Sequence, residues 1–516
     1  MPPSLLDQLE EWKSRFGPAG DGQLERLLAD AARRQFRDAA SLIRLHEAAL
    51  FLRAYPRNPE VARLADAILS SFAGRVADLA AFEEPEISGI AGTSLSAVFS
   101  YEVARRLAAR HPRHIEIAWD RYDGIDRLGP VLHRFLPLLG EDWPVEAHVP
   151  YRQWIAAARR RGQSDLEWLL ERLAATPELY DTLDLPLTWR IGDARTSRSR
   201  LRLAGRKLYC HQEPLLRRSD VSLARELDGP PVPVRRLSRP EARQILDLIL
   251  DTSAMRHREL YGFSHPDEGG VYRADAGRGV EIFFFGVPPK WRLPLRAYHA
   301  GLFFKNGVPA GYVELLSLFE RAEIGFNLYY TFREGESAWL YARLLRLFRQ
   351  VLGVTSYSVD PYQIGLENPE AVDSGAFWFY RKLGFRPADP KVAALMEREE
   401  RRMRKTPGYR SSRRTLEKLA EGYLLFEAPS SEKGVWDNFR VRTVGLAVER
   451  ARAAPSSSGL ARAMSLIPDL ESWTPREKLD AAKILRAKER ASEARYLRLM
   501  QRHPRLRTAF LALGSV

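Results

Sequence analysis

Apolar and polar positions follow two different periods along this chain, and the change from one to the other divides it. From Met1 to about Asp228 apolar residues recur every three to four positions, the spacing of helices that bury one stripe. Leu42–Tyr55, Pro59–Phe72, Leu95–Arg110 and Ser164–Ala175 read as such helices, with no fixed-period repeat among them. Asn58 followed by Pro59 predicts a helix start: asparagine caps the first turn, and proline there gives up an amide that no helix bond needs. His114–Asp120 reads as a short strand or a connection between helices. Gly89-Ile90-Ala91-Gly92-Thr93-Ser94 reads as a tight turn and cap ahead of a helix, a place where backbone amides can hold an anion. Arg195–Glu213 is basic and alternating and predicts a hairpin about Ala204-Gly205.

Gly229-Pro230-Pro231 cannot continue a helix and Pro233 keeps the chain extended, so a linker opens the second region. Strand and helix then mix. Pro233–Ser238 reads as a strand, and Arg239–Leu260 as a helix capped by Ser238. Gly279–Val287 is a strand rich in β-formers. Tyr298–Lys305 and Val308–Phe319 flank Asn306-Gly307, the strongest short signal for a hairpin. Arg321–Tyr330 is the next strand, and Thr331–Gly353 carries a long amphipathic helix that Gly353 ends. Val354–Gln363 is a strand broken at Pro361, a helix follows that ends at Gly384, and Glu421–Ala428 is a closing strand. Arg398–Arg414 is a charged excursion read as a surface helix and loop. In the third region, from about Ser430 to Val516, Ala454–Gly459 is a flexible interruption, and Thr474-Pro475-Arg476-Glu477 opens a helix over 474–503 with a capping box. That region is expected to be a packing or dimerising helical appendage. The fold class predicted is α+β, a mixed central sheet flanked by helices (residues 232–428) between mainly helical regions at 1–228 and 430–516.

The length of 516 residues suits on the order of three domains, and a 45% hydrophobic fraction is enough for sizeable cores. The net charge of +14 favours anionic partners: nucleic acid, anionic lipid or phosphorylated small molecules. Arginine is spread through every region, however, and no basic run is interleaved with aromatics as in single-strand binders, so nucleic acid is a minor expectation. No apolar run approaches the ~18–20 residues of a membrane span, and the polar, acidic start lacks the order of a signal peptide. A soluble, cytoplasmic protein is expected. Cys210 is the single cysteine, which rules out an intrachain disulfide and a cysteine-cluster metal site; no metal is expected. His211 adjoins it, but adjacent residues rarely face each other, and the pair is read as structural.

The stretch Asp373–Pro387 sets Phe377, Trp378, Phe379 and Tyr380 in a row before Leu383-Gly384-Phe385. Such an aromatic run suits a surface that packs on core and ligand together. Ala376–Phe385 (AFWFYRKLGF) and Glu323–Ala338 (EIGFNLYYTFREGESA), with the order of elements around them, resemble the GCN5-related N-acetyltransferase superfamily. The resemblance covers about Val232 to Ala428. It implies that the loop Arg333–Ala338 holds the pyrophosphate of coenzyme A. Consecutive backbone amides at a helix start can do this without side-chain charge, with Gly335 permitting close approach, Ser337 capping or donating, and Arg333 adding charge. Ala338 fits the family pattern; Glu336 stands where glycine is expected. The cofactor arm would run along a strand edge at Phe326, Leu328 and Tyr330. Tyr380 occupies the position of the general-acid tyrosine that protonates the departing thiolate. Glu323 resembles the base of some members, with Glu314 as rival, and Asp360 and Gln363 are candidates to orient substrate or water. Asp373 stands where an asparagine is common.

The function so implied is acyl transfer from acetyl-CoA or another acyl-CoA to an amine, by direct attack in a ternary complex. The acceptor is a small molecule or a protein, and the helical end regions offer surfaces for self-association. Two other readings stay open. Glu336 and Asp373 favour an inactive domain of this kind used for binding or scaffolding. The +14 charge allows aminoacyl transfer from tRNA on a related fold.

Overall fold

The computed structural model describes residues 3–16, 21–76, 82, 87–142, 149–205, 207–257, 259–452 and 459–515. Of the interruption expected at Ala454–Gly459, all but Gly459 lies outside these. The chain forms two compact units, Met1–Leu203 with Asp247–Ser264, and Ala204–Leu246 with His265–Val516. The patterning drew its boundaries at about 228 and 430; contacts divide the chain near 203 and keep 430–515 with the large sheet.

In the first unit, α1 (Ala39–Ala54) and α2 (Pro59–Ser70) form where periodicity placed them, and the Asp38 and Asn58 side chains accept from the amides of Ser41 and Val61. Leu95–Arg110 is not one helix. It begins as strand β1 (Ser94–Val98) and becomes α3 only at Tyr101–Arg110. The Asp181 carboxylate accepts from the Tyr101 amide at 2.7 Å and so fixes where the helix starts. The preceding glycines make a tight turn into a strand, not a helix entry: Gly89 and Gly92 have φ of +82° and +92°, and a Cβ on Gly92 would lie 2.8 Å from the Ala73 carbonyl oxygen. No anion-holding helix end forms there. With β2 (Ile115–Ile117), α4 (Asp165–Arg172, opened by a Ser164/Glu167 capping box) and β3 (Pro186–Arg190), the unit gains an antiparallel sheet in the order β1-β3-β2. Trp168 and Trp189 fill its core. Helix α5 (Arg239–Ala254) ends six residues before Leu260, where His257 takes a left-handed φ of +51°.

The second unit is built on one sheet. Its strands are β4 (Val234–Arg236), β5 (Tyr272–Gly277), β6 (Val280–Phe285), β7 (Ala297–Lys305), β8 (Val308–Leu318) and β9 (Arg321–Leu328), then, after α6 (Ser337–Leu352), β10 (Ser356–Val359), and, after α7 (Ala376–Lys382), β11 (Arg386–Pro387) and β12 (Leu424–Glu427). The spatial order is β11-β12-β10-β9-β8-β7-β6-β5-β4, and every pairing is antiparallel except β9 with β10. This is the expected mixed sheet flanked by helices. Asn306 and Gly307, at φ of +48° and +77°, make the β7–β8 turn. No strand forms among the described residues of Arg195–Glu213; instead the Tyr209 backbone bonds the Asn306 side chain at 2.8 and 2.9 Å. Part of the charged excursion is the helix Pro390–Lys405.

The C-terminal stretch is a covering layer of this unit. It contains α8 (Val441–Arg452), α9 (Pro475–Arg490), α10 (Glu493–Met500) and α11 (Pro504–Gly514). The helix expected over 474–503 breaks after Arg490, because Ser492 caps a new helix, and Pro504 opens the next. Trp436, Phe439 and Val444 share a core with Leu318, Phe319 and Leu425 of the sheet and its turns. Arg321 is wholly enclosed, lies over both the Trp436 and Phe439 rings and donates to the Phe439 carbonyl at 2.8 Å. We therefore expect Trp436→Ala to cost about 3–5 kcal/mol, read as a lower denaturant midpoint for this unit. Leu446→Ala, at an exposed site on α8, should stay within about 0.5 kcal/mol of wild type.

Candidate functional site

The parallel pairing of β9 and β10 runs for three residue pairs, Arg321 with Ser356, Ala322 with Tyr357 and Glu323 with Ser358. The strands then part. Asp360-Pro361 turns the chain into the short helix Pro361–Ile364, with the Asp360 carboxylate capping the Tyr362 amide at 2.9 Å. β9 continues to Leu328, paired with β8 alone, so the stretch Gly325–Leu328 has a strand on one side and an open edge on the other.

Successive side chains of a strand point to opposite faces, which sorts the candidates. On one face stand Glu323, Gly325 and, opposite Gly325 on β8, Glu314. A Cβ on Gly325 would sit 3.8 Å from Gln363 Nε2 and 3.9 Å from Glu314 Cβ. Glu323, Glu314, Asp360 and Gln363, separate in sequence, thus meet where the strands part. Two residues the patterning did not single out complete this group. Arg442, from the first turn of α8, reaches Glu323 at 3.2 Å and Asp360 at 3.4 Å, and the Tyr423 hydroxyl donates to Asp360 at 3.1 Å. Neither residue carries a sequence signal, since both arrive from distant elements. Glu323 is 5% exposed, and its Oε2 has no hydrogen-bond partner among the described residues. Burial raises its pKa above the ordinary carboxylate range, against the pull of Arg321 and Arg442. Burial raises Glu314 too, and the Tyr298 hydroxyl, which donates to it, opposes the rise.

On the opposite face Phe326 lies against Tyr341 of α6, with ring centroids 5.0 Å apart, and Tyr341 lies against Tyr380 of α7 at 5.5 Å. Phe379 and Phe385 close around Tyr380 at 5.3 and 5.6 Å. The aromatic run of α7 is therefore a packing surface that holds one phenol beside the long helix. Burial raises the Tyr380 pKa, which keeps the phenol protonated. Leu328 ends β9, while Tyr330, expected on the strand edge, sits in a following 3₁₀ turn and is 54% exposed.

The loop after β9 brings Arg333, Gly335, Ser337 and Ala338 to the start of α6. The Gly335 amide donates to the Phe332 carbonyl at 2.9 Å, and α6 has no side-chain cap. Among the described residues, the amides of Ser337, Ala338 and Trp339 meet no protein acceptor. Glu336 points away from this end. It is 2% exposed, accepts from Arg278 Nε at 3.0 Å and from the Leu216 amide at 3.1 Å, and lies 3.8 Å from Lys305 Nζ. Burial lowers the Lys305 pKa to about 7, with Glu336 opposing. Arg333 does not face the helix start alone: its guanidinium pairs with Glu370 and lies over the Tyr330 ring. Asp373 pairs with Arg413 at 3.0 Å. Cys210 is half-buried, and burial raises its thiol pKa. Among the described residues no group of three or more His, Cys, Asp or Glu comes together to hold a metal, and no helix is long and apolar enough to cross a membrane.

Because Lys305 binds fewer protons folded than unfolded between its lowered pKa and the ordinary lysine value, stability should rise with pH from about 7 to about 10. Lys305→Met should flatten that slope. Glu336→Gln, which leaves the buried Lys305 and the partly buried Arg278 without their carboxylate, should cost about 3–5 kcal/mol at pH 7; chemical denaturation across pH reads both. Compared with family models, with curated proteins and with solved structures, the chain finds no match.

Proposed function

We propose that the second unit transfers an acyl group from an acyl-coenzyme A thioester to an amine. The observation that carries this reading is the open edge of β9 from Gly325 to Leu328, which ends at an uncapped helix start. A pantetheine arm has amides that can pair with such an edge as another strand would, and a pyrophosphate suits amides at a helix start. The residues present fit that ligand: Glu336, at the cap position of the helix, is turned inward and held by Arg278, so it does not oppose an anion there. The order of strands and helices around the gap supports the likeness to the GCN5-related acetyltransferases that the motifs suggest.

The gap is bordered by candidate groups on both faces of the sheet. Glu323 and Glu314 border it on one, and Tyr380, behind Tyr341 and Phe326, on the other. As an amine nitrogen attacks the thioester carbonyl, Glu323 Oε2 accepts the proton the nitrogen sheds. Arg442, itself paired with Asp360, holds that carboxylate in place. When the tetrahedral carbon–sulfur bond breaks, the Tyr380 phenol donates its proton to the leaving sulfur, and the acyl group stays on nitrogen. Bound coenzyme A would supply the activated acyl carbon. Asp360 and Gln363 border the gap on its far side and would orient the acceptor.

Acetyl-CoA should raise the apparent Tm of the full chain, by the equivalent of about 2.7 kcal/mol at a hundredfold excess over Kd; no shift would sink the reading. Glu323→Gln should keep that shift yet lower kcat about 10²–10⁴-fold in thiol release with a panel of primary amines. In the wild type kcat/KM should fall as pH drops through a pKa above the usual glutamate value, because the base must be ionised and burial raises it; the variant should lose that limb. Binding without turnover on any amine would point instead to an inactive binding domain.

A further inference from the structure

Away from the gap, the C-terminal layer of the second unit encloses a cavity of about 320 Å³. Its walls come from the last turns of α8 (Val448, Ala451), the helix Gly459–Ser465 (Leu460, Ala463), α9 (Leu485) and the loop 289–295 (Leu293). Leu295, Leu466, Pro289 and Pro294 complete the apolar surface, and among the described residues no aromatic ring lines it. Such walls suit a flexible hydrocarbon chain better than a flat ring, and the volume lies at the lower end for ligand pockets.

The mouth is charged. Arg292, Arg452, Arg486 and Lys488 line it against one acid, Glu489. Lys488 is already neutralised by Glu493, and Arg452 lies 3.4 Å from Glu449. That leaves Arg292 and Arg486 against Glu489. Arg292 is preorganised: Nη1 donates to the carbonyls of Lys488 and Ala491 at 2.5 and 2.7 Å, and Nε to Val287 at 3.3 Å. These three bonds fix the plane of the guanidinium and leave Nη2 without a protein acceptor among the described residues. Arg486 is exposed and forms no ion pair among the described residues. An aliphatic slot beside a fixed guanidinium and a second arginine matches one chemistry, a single hydrocarbon chain ending in a carboxylate.

The geometry points to a binding site for a monomeric medium-chain fatty carboxylate, its chain between α8, α9 and the 289–295 loop and its head at Arg292 and Arg486. The site does not depend on acyl transfer at the gap. The test uses the full chain with laurate, methyl laurate and dodecyltrimethylammonium, each below its micelle-forming concentration, by calorimetry and thermal shift. Laurate should bind one per chain and raise Tm, and the neutral and cationic amphiphiles should bind at least about tenfold more weakly. Arg486→Glu, on the surface, should weaken laurate about tenfold. Ala451→Trp should fill the slot and abolish binding while circular dichroism stays unchanged. The inference is overturned if laurate does not bind, if the cationic amphiphile binds equally well, or if both variants bind laurate as wild type does. Sedimentation with phosphatidylglycerol vesicles but no binding of free laurate would also overturn it, assigning the basic mouth to a membrane surface.

Discussion

Two parallel strands that pair for three residues and then separate organise everything else in the second unit. The separation has a local cause. Asp360 caps the turn that follows β10, and Pro361 has no amide with which to extend a ladder. β9 cannot follow, because β8 holds it along its whole length. One strand leaves, the other stays, and a row of backbone groups is left without a neighbour. Gly325 stands at this point with Glu314 and Gln363 close on either side of its missing side chain, so the gap opens among polar groups on one face and aromatic rings on the other. Backbone polar groups in such a place call for a partner, and that demand, more than any single side chain, makes the gap the candidate site.

Charge is distributed so that this gap stays usable. A glutamate at the N-terminus of α6 would oppose an anion if it faced outward. Its inward turn is fixed by Arg278 and Leu216, with Lys305 behind, and these groups come from three separate parts of the chain. Across the sheet, Glu323 is buried deeply enough to be drawn toward its neutral form, while Arg442 bridges it to Asp360 and favours the ionised one. A carboxylate balanced between these influences can take up and release a proton above the ordinary carboxylate range.

Much of this architecture could be read from patterning. Asn306-Gly307 predicted its hairpin, Gly353 its helix end, Thr474 its capping box, and Pro361 the end of its strand, because in each a short-range requirement on φ or on a backbone donor decides the outcome. Where long-range pairing decides, patterning failed. Leu95–Val98 has helical spacing but joins a ladder with β3, and β5, Tyr272–Gly277, carries too little apolar alternation to stand out. Within the candidate site the motifs located Glu323, Tyr380 and the start of α6. They could not show that Glu370 engages Arg333 or that Arg442 engages Glu323, since these contacts join residues 37 and 119 positions apart.

The C-terminal helices are the part whose meaning changes most. As a sequence they read as an appendage. In the fold they cover the sheet on the face that carries Glu323: Leu316 and Leu425 pack into their core, Arg321 lies under Trp436 and Phe439, and Arg442 extends from α8 to the carboxylates. A face covered in this way leaves little room for an acceptor to approach Glu323 from above. Approach along the gap, past Gln363 and the exposed rings of Tyr330 and Tyr362, is the route that remains. It follows that the shape of α8 bears on the site as directly as the motif residues do, because the one arginine that orders the two carboxylates sits on its first turn.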